Sequence, residues 1–580
     1  MGFFRQYEKL STIISIIILF IFPFIVPQGF VSVGFIALQY ALFGLGLNIV
    51  VGWTGLLDLG SAGFVAVGAY TAAICLTLFS LPMWIVLPLT FIVGFLSGIL
   101  LGIPTLRHRS DYFAILTLGF AELISLAIRN WPSVTGGAYG YSGIPALKLP
   151  FMSASLMTVP PIGYYYIVLI LIIPTYILLN RLRETKLGMQ FQVIKESEVV
   201  AQAYGINVVA VKTFAFGLSA AIISVGGFFW ASYQRSIVWT EFDVPLSCML
   251  LSILIIGGLG NTRGVVIGGV IIGSASEILR ILLTAMGLPQ NMRFFVFAVL
   301  LLLFINMRPF GIFSDKPSWL RKGGKAKKTK EGRCRARVDV ATESNKDLLI
   351  CNAITKKFDG VVALDNITFT VERGDCIALI GPNGAGKTTL LNLINGFQKI
   401  TNGDIYVNNV RLNNLLPFRI ARLGIGRSFQ DICVFDDLTI EDNLLLLSRN
   451  SMPDDIQTVL TQFGYQDGTV VCSLLSYGEK KILDFARLFT SACYFELLLL
   501  DEPTAGLSIG ESERLVKIIN SLRTKYSLTI IIVSHDMFFL DTMQVDKVFV
   551  LNNGKLFAEG SFSEIRNDKN VKRVFWGDEV

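Results

Sequence analysis

The chain has 580 residues, 53% of them hydrophobic and only 16% charged, with a mean hydropathy of +0.60 and a formal net charge of +7. A soluble chain rarely averages so apolar, so the composition argues against a single water-soluble domain and a membrane portion is the first expectation. Two histidines exclude a His-rich metal site, and the eight cysteines, without a CxxC pair or metal-ligand spacing, read as reduced and packed thiols.

Charges are scarce before about residue 310, and beyond about residue 345 the composition is that of a soluble domain. A hydrocarbon core of ~30 Å needs ~20 apolar residues per helix. Candidate spans lie near 11–27, 31–51, 57–79, 83–105, 112–128, 163–180, 213–232, 246–260, 265–284 and 293–307, about ten in all. The first lacks a small-residue cleavage site and another follows at once, so it reads as a span and not a signal peptide. The closely spaced runs around 31–79 and 246–284 are open to two readings, full spans or re-entrant and broken helices. Arg5, Lys9, Arg107, Arg109, Arg181, Arg183, Lys186, Lys195, Lys212 and Arg263 fall on one side, which is therefore cytoplasmic; the other holds Arg129, Lys148, Arg235 and Arg293.

Small residues fill "GLLDLGSAGFVAVGAYTAA" and "GGLGNTRGVVIGGVIIGSAS", where they suit either close helix packing or broken helices lining a cavity. Glu122 and Glu277 are ionisable residues at span depth, expected to face the bundle interior and to meet either a structural partner, such as Arg280 one turn on from Glu277, or the substrate. The outside loop 130–162, rich in Trp, Tyr, Pro and Gly, suits an interfacial plug or a docking surface for an external partner.

Between two apolar segments lies a polar island, "VIKESEVVAQAYGIN". Glu196 and Glu198 favour a helix start, Val199, Val200 and Ala203 form one narrow apolar face, and Gly205 suits a C-terminal cap. A helix of about nine residues, ~13 Å long, is predicted there. The stretch 316–337 carries ten Lys/Arg against one acidic residue and no apolar period, so it is a flexible basic tether. Such a run attracts anionic headgroups, and no nucleic-acid-reading module accompanies it.

The soluble half carries the specific signals. "CIALIGPNGAGKTTLLNLI" reads as strand, glycine loop and helix, matching G-x-x-x-x-G-K-[ST] over Gly381, Pro382, Asn383, Gly384, Ala385, Gly386, Lys387 and Thr388. Backbone N–H groups of such a loop wrap nucleotide phosphates, Lys387 reaches the outer ones, and Thr388 offers its hydroxyl to magnesium. "FELLLLDEPTAGLS" is a short buried strand ending in Asp501, placed to hold magnesium through water, and Glu502, suited to polarise the attacking water. "IGRSFQD" and "LLSYGEKKILDFARLF" lie between these motifs, and "TIIIVSHD" follows.

In that order the motifs resemble the ATP-binding cassette of ABC transporters, over Leu348 to Val580. The resemblance implies that Phe358 underlies adenine and that Gly381 to Thr389 hold ATP. It implies that Gln430 senses Mg2+ and contacts the membrane domain, and that Ser476 and Gly478 of the signature close over ATP bound to an opposite cassette. It makes Asp501 a magnesium ligand with Thr388 and Gln430, Glu502 the catalytic base and His535 the switch histidine. Two departures stand out: the signature reads LSYGE, with Tyr477 and Glu479 where the common form has Gly and Gln, and Ser508 stands where many cassettes carry Asp.

The membrane half resembles the branched-chain amino-acid uptake permeases, in "LRHRSDYFAILTLGFAELISLAIRNWPSVTGGAYGYSGIP", in the polar island, in "GGLGNTRGVVIGG" and in "MRPFGIF". The expected architecture is a polytopic α-helical permease (1–312), a basic linker (313–347) and an α/β ATP-binding domain (348–580). The resemblance implies an ATP-driven importer in a bacterial inner membrane, its ATPase cytoplasmic. It would be supplied by an external substrate-binding protein and would work with a second permease and second ATPase, or as a homodimer. Urea or short amides are alternative solutes. An exporter half-molecule and a non-transporting membrane-anchored ATPase are the competing classes. The island, with Glu196, Glu198, Ala203 and Gly205, would be the coupling helix.

Overall fold

The computed structural model describes residues 19–105, 110–147, 160–289, 292–308, 311–313, 346–358, 360–429, 432–436, 438–447, 459–461, 463–465, 467–490 and 495–576. The chain forms two compact units: Met1–Lys195 with Val208–Pro317, and Glu196–Asn207 with Ser318–Val580.

In the first unit, nine of the expected spans coincide with helices at Gln28–Leu47, Ser61–Thr77, Met83–Thr105, Ser110–Arg129, Pro161–Arg183, Val208–Gln234, Val244–Gly257, Thr262–Ala285 and Met292–Met307. The first expected span is described only from residue 19, where the chain is helical. Among the described residues, six helices are long and apolar enough to cross a membrane, while Ser61–Thr77, Val244–Gly257 and Phe295–Met307 are shorter.

Ser61–Thr77 and Val244–Gly257 each adjoin a break. Gln28–Leu47 runs on through a π-helical turn, Asn48–Trp53, and the chain is irregular until Ser61. Val244–Gly257 stops at Gly258, whose φ of 108° only glycine adopts without strain. Broken backbone buried in an apolar protein must find internal partners, and here the two breaks satisfy each other. Trp53 Nε1 donates to the Gly260 carbonyl (3.1 Å), and Gly260 N donates to Asn48 Oδ1 (3.0 Å). Lys195 Nζ donates to the Gly52 carbonyl (3.0 Å), a cation at a helix C-terminal end.

Packing dominates the glycine-rich spans. A side chain at Gly68 would collide with the Ser224 backbone, and one at Gly269 with Ala41, so these helices touch main chain to main chain. Ser224 Oγ donates to the Phe64 carbonyl (2.9 Å), and Gln39 Nε2 to that of Gly226 (3.0 Å). Arg280 Nε donates to Glu277 Oε2 at 2.9 Å, the expected pairing on one helix face. The described part of the outside loop, 130–147, is tied to the helices, with Thr135, Ile144 and Leu147 buried and Trp131 and Tyr139 exposed. Strand β1 (Tyr141–Ser142) pairs antiparallel with β2 (Ser236–Ile237), and the Tyr164 hydroxyl bridges Leu147 N and the Ser232 carbonyl, both at 2.9 Å.

In the second unit, β3 (Asp347–Phe358), β4 (Val361–Glu372), β6 (Asn402–Val407) and β7 (Val410–Arg411) make an antiparallel sheet in the order β4-β3-β6-β7. Strands β5 (Cys376–Ile380), β8 (Ile425–Arg427), β9 (Leu497–Asp501), β10 (Thr529–Val533), β11 (Lys547–Asn552) and β12 (Lys555–Gly560) make a second sheet, ordered β12-β11-β5-β10-β9-β8. Every residue of β5, β9 and β10 is buried, which explains their unbroken apolar runs: a parallel strand covered on both faces has no polar side. These three strands end together, because Val533 sits opposite both Leu379 and Asp501. Ligands of open parallel sheets bind at such carboxyl ends. Of the linker expected at 313–347, only Phe313, Lys346 and Asp347 are described. Among the described cysteines, Cys75, Cys351, Cys376 and Cys472 are buried and free, as expected of packed thiols, whereas Cys433 is half-buried and Cys248 is exposed, against that expectation.

Candidate functional site

The loop after β5 turns directly into the helix Lys387–Ile394, with Gly386 as its N-cap at φ 101°. A side chain there would press on Leu364 and on the Ala363 carbonyl, so residue 386 must be glycine for two reasons. At Gly384, φ 81°, nothing lies within 4 Å of where a side chain would begin, which leaves the inside of the loop open. Lys387 Nζ donates to the carbonyls of Gly381 (2.7 Å) and Pro382 (2.9 Å), closing the loop on itself. Burial lowers the pKa of this ammonium below the usual lysine range, and the nearby carboxylates of Glu502 and Asp501 oppose that shift. Ala385 is buried, whereas Asn383 and Thr388 are exposed at the loop mouth.

Asp501 ends β9 almost fully buried, at 4% exposure. Its pKa is raised from the ordinary carboxylate value by burial and drawn back chiefly by Arg427, whose NH2 lies 3.5 Å from Oδ2. Arg427 is equally buried, held by Asn392 Oδ1 (2.5 Å), with the neighbouring rings of Phe397 and Phe429 at 5.9 and 5.5 Å from its guanidinium. "IGRSFQ" was readable as a motif, but the Arg427–Asp501 pair joins residues 74 positions apart and carries no local signal.

Glu502 turns out of the strand at φ 46°, a left-handed conformation that costs a non-glycine residue on the order of 1 kcal/mol or more. Its N–H donates to the Val533 carbonyl at 2.9 Å, across to β10. The kink aims the carboxylate at His535, two residues beyond β10: Nδ1 of His535 lies 3.4 Å from Glu502 Oε1. The expected base and switch histidine therefore form one pair. Phe358, at the end of β3, is 39% exposed, with Lys356 Nζ 4.6 Å from its ring centre. Gln430 lies outside the described residues.

Both departures from the common cassette pattern are helix caps. Ser476 precedes the helix Tyr477–Thr490; its N and Oγ both donate to Glu479 Oε2 (2.8 and 2.9 Å), and Glu479 N donates back to Ser476 Oγ (3.3 Å). This reciprocal box accepts Glu or Gln at its third helical position. Ser508 builds the same box with Glu511 on Ile509–Tyr526. A side chain at Gly478 would meet Glu511, and Tyr477 is exposed against Gly506.

Residues 30–305 match the family described as "Branched-chain amino acid transport system / permease component", and residues 364–505 match "ABC transporter". The high-affinity branched-chain amino acid transport system permease protein LivM of Salmonella typhimurium is 32% identical over 340 residues, covering 55% of this chain and 78% of the relative. The high-affinity branched-chain amino acid transport ATP-binding protein LivG of the same organism is 32% identical over 253 residues, covering 40% of this chain and 98% of the relative. BraF of Pseudomonas aeruginosa, described likewise as an ATP-binding protein of this transport, is 29% identical and covered over 99% of its length. The chain belongs to the branched-chain amino-acid ABC uptake family. It joins in one polypeptide a permease and an ATPase that its relatives carry as separate proteins, so it is a membrane protein whose cassette binds nucleotide and couples ATP hydrolysis to solute uptake.

The polar island departs from expectation. Its helix is Glu198–Ala203, only six residues and ~9 Å, because Ser197 is extended (φ −157°) and caps it, its Oγ accepting from Val200 N at 3.4 Å. Glu196 does not start this helix; it ends the preceding one, Lys186–Glu196. The buried face is Val200, Ala201 and Ala203, while Val199 is exposed. Gly205 takes the left-handed C-terminal position at φ 81°, as expected.

The segment Glu196–Asn207 packs as part of the ATPase unit. Arg422 Nε donates to the Gly205 carbonyl at 3.0 Å, and the Tyr204 ring lies 5.6 Å from the Arg487 guanidinium. Arg487 is fully buried, also stacks on Phe435 at 4.6 Å, and bonds the Cys433 carbonyl. Burial raises the Tyr204 hydroxyl above the ordinary tyrosine range, with Arg487 opposing. Sequence reading missed Tyr204, Arg422 and Arg487, since only folding brings them together. Arg487 lies on the helix that begins with the signature, about three turns from Ser476.

Proposed function

We propose that this chain is one permease-plus-ATPase component of an assembly importing branched-chain or other hydrophobic amino acids across a bacterial inner membrane. The solute would be handed over by an external substrate-binding protein. A second permease and a second cassette, or a second copy of this chain, would complete the transporter. The observation that carries the reading is the meeting of the Lys387 loop, Asp501 and the Glu502–His535 pair at one strand edge, in the same chain as a glycine-packed helical permease.

The donors suit magnesium, a hard cation that takes oxygen ligands: the Asp501 carboxylate, the exposed Thr388 hydroxyl and, from the family pattern, Gln430. When bound, Mg2+ neutralises charge on the β- and γ-phosphates. Phe358 stacks on adenine, and the loop N–H groups and Lys387 hold the phosphates. Glu502 orients and deprotonates the attacking water, and His535 stabilises that arrangement. Ser476 and Gly478 close over ATP held by the opposite cassette.

Closure moves the helical part bearing Tyr477–Thr490, and with it the pocket of Arg487 and Tyr204. Glu196–Asn207 runs straight into the permease helices on either side, so it is the coupling segment, with Glu198, Ala203 and Gly205 shaping its seat. Glu502→Gln is expected to keep ATP binding while reducing phosphate release at least 100-fold. Turnover near the wild-type rate would sink the catalytic assignment.

A further inference from the structure

The permease unit treats its two span-depth glutamates differently. Glu277 is held by Arg280. Glu122, on the helix Ser110–Arg129, is exposed, and no hydrogen bond or ion pair reaches it from the described residues. The other side of that helix packs inward through Phe113, Thr117, Ala121 and Ser125. Glu122 lies seven residues before Arg129 and ten after Tyr112, so it is ~10 Å or more from either end of the span. The nearest cation along the same face, Arg129, is engaged with the Trp239 ring at 5.1 Å.

A carboxylate left against lipid at that depth is expensive, and such groups face a bundle interior or a water-filled cavity. The surrounding surface agrees. One turn before Glu122, Gly119 has nothing within 4 Å of where a side chain would begin, so an object can approach the helix backbone there. Leu116 and Leu123, exposed beside it, supply an aliphatic wall. An anion, a gap and an aliphatic wall complement a small molecule bearing an ammonium group and a branched aliphatic side chain.

We infer that the Gly119–Glu122 face lines the water-filled solute path, and that Glu122 meets the ammonium group of the carried amino acid while Leu116 and Leu123 meet its side chain. This rests on the amino-acid reading above. Two measurements on the full-length chain test it. In membranes, Glu122→Cys is treated with an impermeant cationic methanethiosulfonate, with the wild-type chain as background for native cysteines. Leu100→Cys, at a 75% exposed site on Met83–Thr105, is the lipid-facing reference. Glu122→Cys is expected to react at least 10-fold faster than the reference; equal rates overturn the proposal.

In cells holding the whole assembly, Glu122→Gln is expected to lower initial L-leucine uptake at least 10-fold, with ATP hydrolysis of the purified chain within twofold of wild type. Glu122→Asp should recover a third or more of the uptake. Wild-type uptake in Glu122→Gln, or no rescue by Asp, removes the ammonium contact. A wild-type chain that carries no amino acid defeats the amino-acid reading, and this inference with it, even where the thiol places Glu122 in water.

Discussion

The phosphate loop and the permease helices are both glycine-rich, yet their glycines work in opposite ways. In the loop, Gly384 and Gly386 hold backbone shapes that side chains resist, and at Gly384 space is left open, where the proposed mechanism seats phosphate. In the permease, Gly68 and Gly269 are ordinary helical residues whose missing side chain is already replaced by a neighbouring backbone. One set keeps room for a ligand, and the other has used its room for packing. Substitution in the loop should therefore damage binding before folding, and substitution in the permease should damage folding first.

The largest effect is expected where packing is tightest. Gly68→Val should destabilise the permease by about 3 kcal/mol or more, because a backbone carbonyl cannot move aside as a side chain can. Thermal unfolding in detergent would show the loss, with ATP binding by the cassette retained. Gly384→Ala, in contrast, should cost only about 1 kcal/mol of stability while weakening ATP affinity more than that. Equal loss of stability at both positions would break the comparison.

Gly205 belongs to neither set, since its positive φ ends a helix at the proposed coupling segment. Gly205→Ile should lower uptake per ATP hydrolysed severalfold, with nucleotide affinity unchanged. Uptake and hydrolysis measured on the same preparation would test it, and a proportional fall in both would remove the segment's coupling role.

A further prediction concerns pH. Burial raises the Asp501 pKa and Arg427 pulls it down, so the carboxylate ionises at higher pH than a free aspartate. In the proposed mechanism the ionised carboxylate holds the metal, so turnover should fall as pH drops towards the raised value. Arg427→Met removes the opposing charge and should move that acid limb to higher pH by about one unit, measured as ATPase rate against pH at saturating magnesium. A limb that stays in place would free Asp501 from Arg427's control. The smallest effect belongs to the signature. Glu479→Gln preserves the capping box and should keep ATPase activity within twofold. Glu479→Ala should cost about 1 kcal/mol of cassette stability by denaturant unfolding.

The sequence alone determined the elements whose chemistry is local. A loop that wraps phosphate must be contiguous, so Gly381 to Thr388 were legible without a fold, as were the Asp501–Glu502 strand end and the apolar runs of the spans. Glu277 and Arg280 were legible for the same reason, being one helical turn apart. Tertiary structure alone decided what depends on distant partners. It brought Arg427 to Asp501, Arg487 and Arg422 to the Tyr204–Gly205 segment, and Asn48 and Trp53 to Gly260. It also settled that Gly68 and Gly269 are packing residues, and it shortened the island helix by placing Ser197 in extended backbone. Periodicity and spacing report only what one segment asks of its environment, whereas a buried charge or a helix break is satisfied by whichever residue the fold delivers.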